Sequence, residues 1–426
     1  MAYIDILRKL PSVGGPQKKL DFRSKLQWTL LMLVLFYLMT EIFIWGVSPD
    51  AVRRFTELET LLGSKMGTLV TLGIGPLVTS SIILQLLVGS KIISWDTSTQ
   101  DGKTLFMGTQ KVLGVLFCFF EAAAFVLFGA IPPMSQTPLI IGALIFQLAL
   151  GGILVMFMDE VVSKWGFGSG ISLFIAAGVS RTIFIEAIGS PSIGWGRIPR
   201  AVFAIAEQNP LAVGTLILPV IFTAIVFMIC VYAQALRVEV PLAFGQIRGF
   251  GTRWPLKFFY TSNIPVILTS ALLANFRLFG TMLSSRGINI LGTFDGNGTP
   301  ISGLLHYITP PRGSTLSDII IALGSGVSVP ANAKSVSEQI QKVGLGIPGF
   351  RRDPRIIEKV LDRYIPYLAV LGGASVGVLA AFADFTGALG TGTGILLTVM
   401  IIHNLYEDVV SKHMEDMHPA LQKFMR

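Results

Sequence analysis

Glu121 carries the chemistry most in need of explanation: nine apolar or small residues precede it and ten follow it in one run. A carboxylate at bilayer depth costs about 2.5 kcal/mol or more, so such a group faces protein or water and has partners. Thr79, Gln85 and Asn275 stand in other apolar runs and offer hydroxyl and amide groups for hydrogen bonds. Two uses are open for this set. Glu121 could bind a carried proton or ion, or it could belong to a polar seam along which helices part. Nothing else has the spacing of a catalytic or metal site. His306 and His403 are isolated, and His413 and His418 sit in a charged tail. Lys65 and Lys91 follow Gly-Ser but lack the first half of a phosphate-binding loop. Cys118 and Cys230 each lie in an apolar run and read as packing residues rather than a disulfide or metal pair. The expectation is a chain with no cofactor that is not an enzyme.

Spanning helices must position these groups. Of the 426 residues, 52% are hydrophobic and 14% charged, whereas soluble domains are ~25% charged. Apolar runs that approach the ~20 residues of a span fall at 26–45, 69–88, 112–131, 139–158, 171–188, 211–232, 264–283, 318–329, 365–383 and 389–405. The eighth is short: its strongly apolar part ends near Leu323, and Pro330 soon follows. The polar start, with Pro11 and Pro16 and no small-residue cleavage pattern, reads as no cleaved leader.

The second run is broken by Gly73, Gly75 and Pro76. Irregular backbone at membrane depth is tolerated only where it is buried in protein or lines a cavity. Aliphatic residues recur beside such breaks. Ile74 and Val78 are one helical turn apart, Ile171 and Ile175 repeat the spacing, Ile264 and Ile267 flank Pro265, and Leu397 follows a glycine run. Ordinary core packing would explain each pair alone; their shared position beside helix breaks points to a pathway.

Lys and Arg set the orientation. If all ten runs cross from a cytoplasmic amino terminus, 24 basic residues fall inside and 9 outside. Both termini are therefore expected in the cytoplasm. The net charge of +8 then lies in loops, where it suits anionic lipid headgroups or a large acidic partner. Two basic loops stand out. One runs from Arg237 through Arg248, Arg253 and Lys257, and its alternating Val238, Glu239 and Val240 suggest a hairpin. The other carries Arg351, Arg352 and Arg355 ahead of a helical stretch. Glycine-rich lead-ins, 166–170 and 387–394, precede a span in each half. Five spans per half would make an inverted pair, with the working site between halves. The expected division is 1–190, with spans one to five, and 191–426, with spans six to ten and the basic loops.

The stretches 67–85, 159–178, 237–241, 260–265 and 387–397 together resemble the SecY family, the central subunit of the protein-translocation channel, and most of all its archaeal branch. The likeness covers nearly the whole chain, and 159–178 is its most specific part. The resemblance implies an all-α membrane protein of two inverted five-helix halves around a central pore, in the cell membrane. It implies a hydrophobic pore ring of Ile74, Val78, Ile171, Ile175, Ile267 and Leu397. A plug would lie at about 57–67, with Glu57, Leu61, Leu62 and Gly67. A lateral gate would involve Thr79, Gln85, Glu121 and Asn275. Ribosome docking would fall to Arg248, Arg253, Lys257, Arg351, Arg352 and Arg355. The implied partners are a small SecE-type membrane subunit, a third small peripheral subunit, the ribosome, a nascent polypeptide with its signal sequence, and membrane lipids. The short eighth run departs from the family pattern. The competing class is an inverted-repeat transporter of a small solute, which needs more buried polar groups at the midplane than this chain supplies.

Overall fold

The computed structural model describes residues 11–18, 20–48, 67–89, 92–95, 99–128, 131–189, 196–244, 251–257, 276, 279–281, 283–284, 287, 289–294, 300–305, 345–346 and 354–417. The chain divides into two compact units. The first is Met1–Ile183, Ser270–Thr309 and Asn404–Arg426; the second is Phe184–Thr269 and Pro310–His403.

Among the described residues, the helices are α1 (Phe22–Glu41), α2 (Gly75–Gly89), α3 (Gln100–Leu127), α4 (Pro138–Trp165), α5 (Gly170–Ile188), α6 (Arg197–Ala206), α7 (Pro210–Ala235), α8 (Pro354–Phe385) and α9 (Gly392–Met417). Eight of the ten apolar runs thus fall on helices. Most of the seventh and all of the eighth lie outside the described residues. Among the described residues, five helices are long and apolar enough to cross a membrane. Local signals fix several starts. The Thr99 side chain accepts the Gly102 N–H, Asn209 accepts that of Ala212, and prolines open α4 and α7, where the missing N–H costs nothing.

Many of these helices turn large apolar side chains outward. Leu30, Leu31, Val34 and Leu38 on α1, and Leu211, Leu218, Met228 and Tyr232 on α7, are exposed. A water-soluble surface does not carry so much contiguous apolar area; a lipid-facing one does. The first unit's core lies inside, where Leu72, Cys118, Ala122, Phe125, Leu144 and Leu148 pack together. Phe36 of α1 stacks on Phe174 of α5 at 4.6 Å between ring centres.

The broken second span is buried rather than left in lipid. Residues 67–74 form successive turns, with Thr71 N–H donating to Thr68 O, Gly73 to Val70 and Gly75 to Leu72. Val70 and Leu72 are almost fully buried. Gly73 has φ +53°, which side-chain-bearing residues seldom adopt. The turns lie against α4, where a Cβ at Gly151 would overlap the Leu69 carbonyl.

At the amino-terminal end, residues near Val13 are strapped to α4. Lys164 Nζ donates to Val13 O and Trp165 Nε1 to Gly14 O. In the second unit the alternating stretch forms β1 (Arg237–Phe244), antiparallel to β2 (Gly251–Lys257) with Arg237 opposite Lys257. A third strand (Leu345–Gly346) pairs with the other edge of β1. A separate two-stranded ladder joins Thr293–Phe294 to Pro300–Ser302 in the first unit.

Candidate functional site

Glu121 is only 3% exposed and finds the partner that its position demands. Thr79 Oγ1 lies 3.2 Å from its Oε1 and 2.9 Å from the Gly75 carbonyl. One hydroxyl therefore joins the start of α2 to the last third of α3. Gln85 lies farther along α2, exposed, and donates to Ser81 Oγ of its own helix at 2.9 Å. Asn275 lies outside the described residues.

The expected ring residues of the first unit are near the helix starts that the glycines create. Ile74 is the last residue before α2, and Val78 accompanies it one turn on, its N–H bonded to the Ile74 carbonyl at 3.0 Å. Both are buried, as is Ile175 on α5, while Ile171 is half-buried. A cavity of about 450 Å³ is lined by Leu77, Ser80, Lys111, Met156, Asp159 and Ile171, among others. Leu397, in the second unit, is buried on α9. Ile267 lies outside the described residues.

Of the plug stretch, Glu57, Leu61 and Leu62 lie outside the described residues. Gly67 is buried at φ +81°, and its carbonyl accepts the Ile44 N–H at 3.0 Å. Arg248, Arg351 and Arg352 also lie outside. Arg253 and Lys257 occupy β2, and Arg355 opens α8.

Two sets of residues were not singled out from the sequence. One is the cluster Lys111–Glu160–Lys164. Lys111 Nζ is 2.7 Å from one Glu160 oxygen and Lys164 Nζ 2.8 Å from the other, and Lys111 also lies over the Phe157 ring. The spacing of Glu160 and Lys164 on one helix was a usable signal; the link to Lys111 was not. The other set holds helix starts. Asp159 Oδ1 accepts the Ile171 N–H at 2.8 Å, Asp384 Oδ1 accepts the Gly392 N–H at 2.6 Å, and Glu186 accepts the Gly390 N–H at 3.0 Å. Thr223 Oγ1 accepts the Leu389 N–H at 2.8 Å. No group of three or more His, Cys, Asp or Glu able to hold a metal occurs among the described residues.

The described site residues are thus a buried aliphatic set beside broken helices and a buried carboxylate, in a chain with membrane-length apolar helices. The profile of the SecY family matches residues 68–406. The chain belongs to the SecY family. The protein translocase subunit SecY of Methanococcus vannielii is 43% identical over 99% of this chain and 98% of the relative. A solved structure of a protein conducting channel is 42% identical and covers 98% of each chain with a TM-score of 0.86. Sec61 in the canine ribosome-channel complex from the endoplasmic reticulum is 42% identical, also over 98% of each chain, with a TM-score of 0.80. The predominantly helical, multi-pass membrane fold expected from the sequence is thus the fold of this SecY-family chain, with short strands added in its loops.

Proposed function

We propose that this chain is the pore-forming subunit of a protein-conducting channel, passing unfolded secretory polypeptides across the membrane and releasing transmembrane segments sideways into it. The observation that carries this is the burial of Ile74, Val78 and Ile175 next to helix breaks, in a chain of the SecY family. Aliphatic side chains make no lasting hydrogen bonds with a passing peptide, so it slides. A narrow aliphatic constriction also dewets and resists ions. The ring consists of Ile74, Val78, Ile171, Ile175, Ile267 and Leu397, supplied by halves 1–190 and 191–426. The plug around Glu57, Leu61, Leu62 and Gly67 is the second barrier. Thr79, Gln85, Glu121 and Asn275 line the lateral gate, which an apolar signal segment opens by offering a lipid-like surface. The scarcity of buried charge favours this over solute transport, and the chain does no covalent chemistry.

Both termini face the cytoplasm. There the basic residues Arg248, Arg253, Lys257, Arg351, Arg352 and Arg355 dock the ribosome through its phosphates. That partnership is supported by the likeness to a ribosome-bound Sec61. A small SecE-type subunit and a third small peripheral subunit complete the assembly. The test is crosslinking of a stalled nascent chain to Cys placed singly at 74, 78, 171 and 175. Adducts at all four are expected, with none at the outward-facing controls Leu31 and Phe146. Equal labelling of the controls would refute the pathway.

A further inference from the structure

In each unit taken by itself, a span bearing expected ring residues begins in the same way. In the first unit, α4 ends in a stretch containing Asp159, glycines follow, and α5 starts at Gly170 with Ile171 and Ile175 in its first two turns. In the second unit, α8 ends just after Asp384, glycines follow, and α9 starts at Gly392, with Leu397 a turn and a half on. Asp159 accepts the Ile171 N–H at 2.8 Å and also engages the Gly170 N–H and the Ser169 hydroxyl. Asp384 accepts the Gly392 N–H at 2.6 Å.

A second feature repeats beside each carboxylate. A Cβ on Gly170 would stand 2.5 Å from the Asp159 Cα, and one on Gly392 would overlap the Ala380 carbonyl. Both helix starts are pressed directly against the backbone of the preceding span. The first N–H groups of a helix have no partner within it, and a cap normally comes from the adjoining residue. Here the acceptor comes from another span. A cap of that kind fixes more than the fraying of a helix end, because it sets how far along its axis one span starts relative to its neighbour. Each residue of slippage is ~1.5 Å.

We propose that Asp159 and Asp384 are positioning residues that set the height of the pore ring, each by holding the start of the helix that carries ring residues. This rests on the proposed assignment of Ile171, Ile175 and Leu397 to that ring. The carboxylate favours the helix start electrostatically, while its short side chain and the close-packed glycine leave one permitted offset. Removing the acceptor frees the helix start; lengthening the side chain holds it in the wrong place.

The test uses the channel complex purified from membranes, with ion conductance of the resting channel measured in planar bilayers. Asp159→Ala, Asp159→Asn and Asp159→Glu, and the same three at Asp384, are compared with Ile171→Gly and Ile175→Gly. Single-channel records restrict the comparison to channels that have assembled. The expected result is a severalfold rise in resting conductance for Ala and also for Glu, with Asn close to the parent. A merely structural role would let Glu, which keeps charge and acceptor, behave like the parent. Resting conductance unchanged by Ala and Glu, while the Ile variants leak, would overturn the positioning role alone. If the Ile variants do not leak, the ring assignment falls and this inference falls with it.

Discussion

At the scale of single residues, Glu121 is a costly group to bury at membrane depth, and its partner was foreseeable. It is buried on the helix that carries the core residues Cys118, Ala122 and Phe125, and the Thr79 hydroxyl meets its carboxylate at 3.2 Å. A hydrogen bond in such a place contributes about 0.5–1.5 kcal/mol net, yet leaving one buried partner unsatisfied costs more. Glu121→Gln keeps the shape and an acceptor for Thr79. Glu121→Leu removes both and makes the helix surface more apolar. In the proposed gate a more apolar seam adheres better when closed, so Leu should demand a more hydrophobic signal segment for translocation. A stabilisation of ~1.4 kcal/mol lowers the open population about tenfold, and Gln should shift it less. Export of a reporter carrying a graded series of signals measures this. Identical thresholds for parent, Gln and Leu would remove Glu121 from the gate.

At the scale of elements, the second span depends on a close approach that only a missing side chain permits. The turns 67–74 lie against α4, with the Leu69 carbonyl where a Gly151 Cβ would be and Cys118 Sγ 2.8 Å from a Gly152 Cβ. Gly151→Ala should therefore force α4 off the turns and destabilise the unit by about 1–3 kcal/mol, the usual cost of overpacking. Gly142, on the same helix, has open space around its Cβ position. Gly142→Ala should leave thermal unfolding of the purified complex unchanged or slightly raised. Equal melting of both variants would show that the turns do not need Gly151. Most elements were legible in the sequence because long apolar runs and Gly–Pro breaks are local signals. The β1 hairpin was legible for the same reason, since Val238, Glu239 and Val240 alternate. The third strand, Leu345–Gly346, which pairs with β1 from far along the chain, was not. Nor were the caps from Asp159 and Asp384, because the glycine-rich loops decide which N–H groups each carboxylate meets, and loop paths are not written in periodicity. Thr79 and Glu121 could be paired beforehand only because buried polar groups in spans are few.

At the scale of the whole molecule, the charged residues test the crossing pattern within the first unit. In the proposed topology, alternating crossings from a cytoplasmic amino terminus would put the end of the first span and the Arg181 end of the fifth on the outer face, and the start of the third and the end of the fourth inside. The structure pairs them accordingly. Glu41 at the end of α1 meets Arg181 of α5 at 2.8 Å, while Lys111 of α3 and Lys164 of α4 share Glu160. The bias of 24 basic residues against 9 favours placing the shared-lysine face in the cytoplasm, because positively charged loops are retained there. The eighth run bears on the other end of the chain. If it crosses despite its brevity, the carboxyl terminus is cytoplasmic; if it does not, the tail after α9 lies outside and the basic loop at 351–363 conflicts with its neighbours. Single cysteines placed at Lys18, Arg200 and Arg426, in a Cys118→Ala, Cys230→Ala background, separate the two. A membrane-impermeant thiol reagent applied to right-side-out vesicles should label position 200 alone. Labelling at 426 without labelling at 18 would mean an odd number of crossings, placing the error at the eighth run and not at the amino-terminal half.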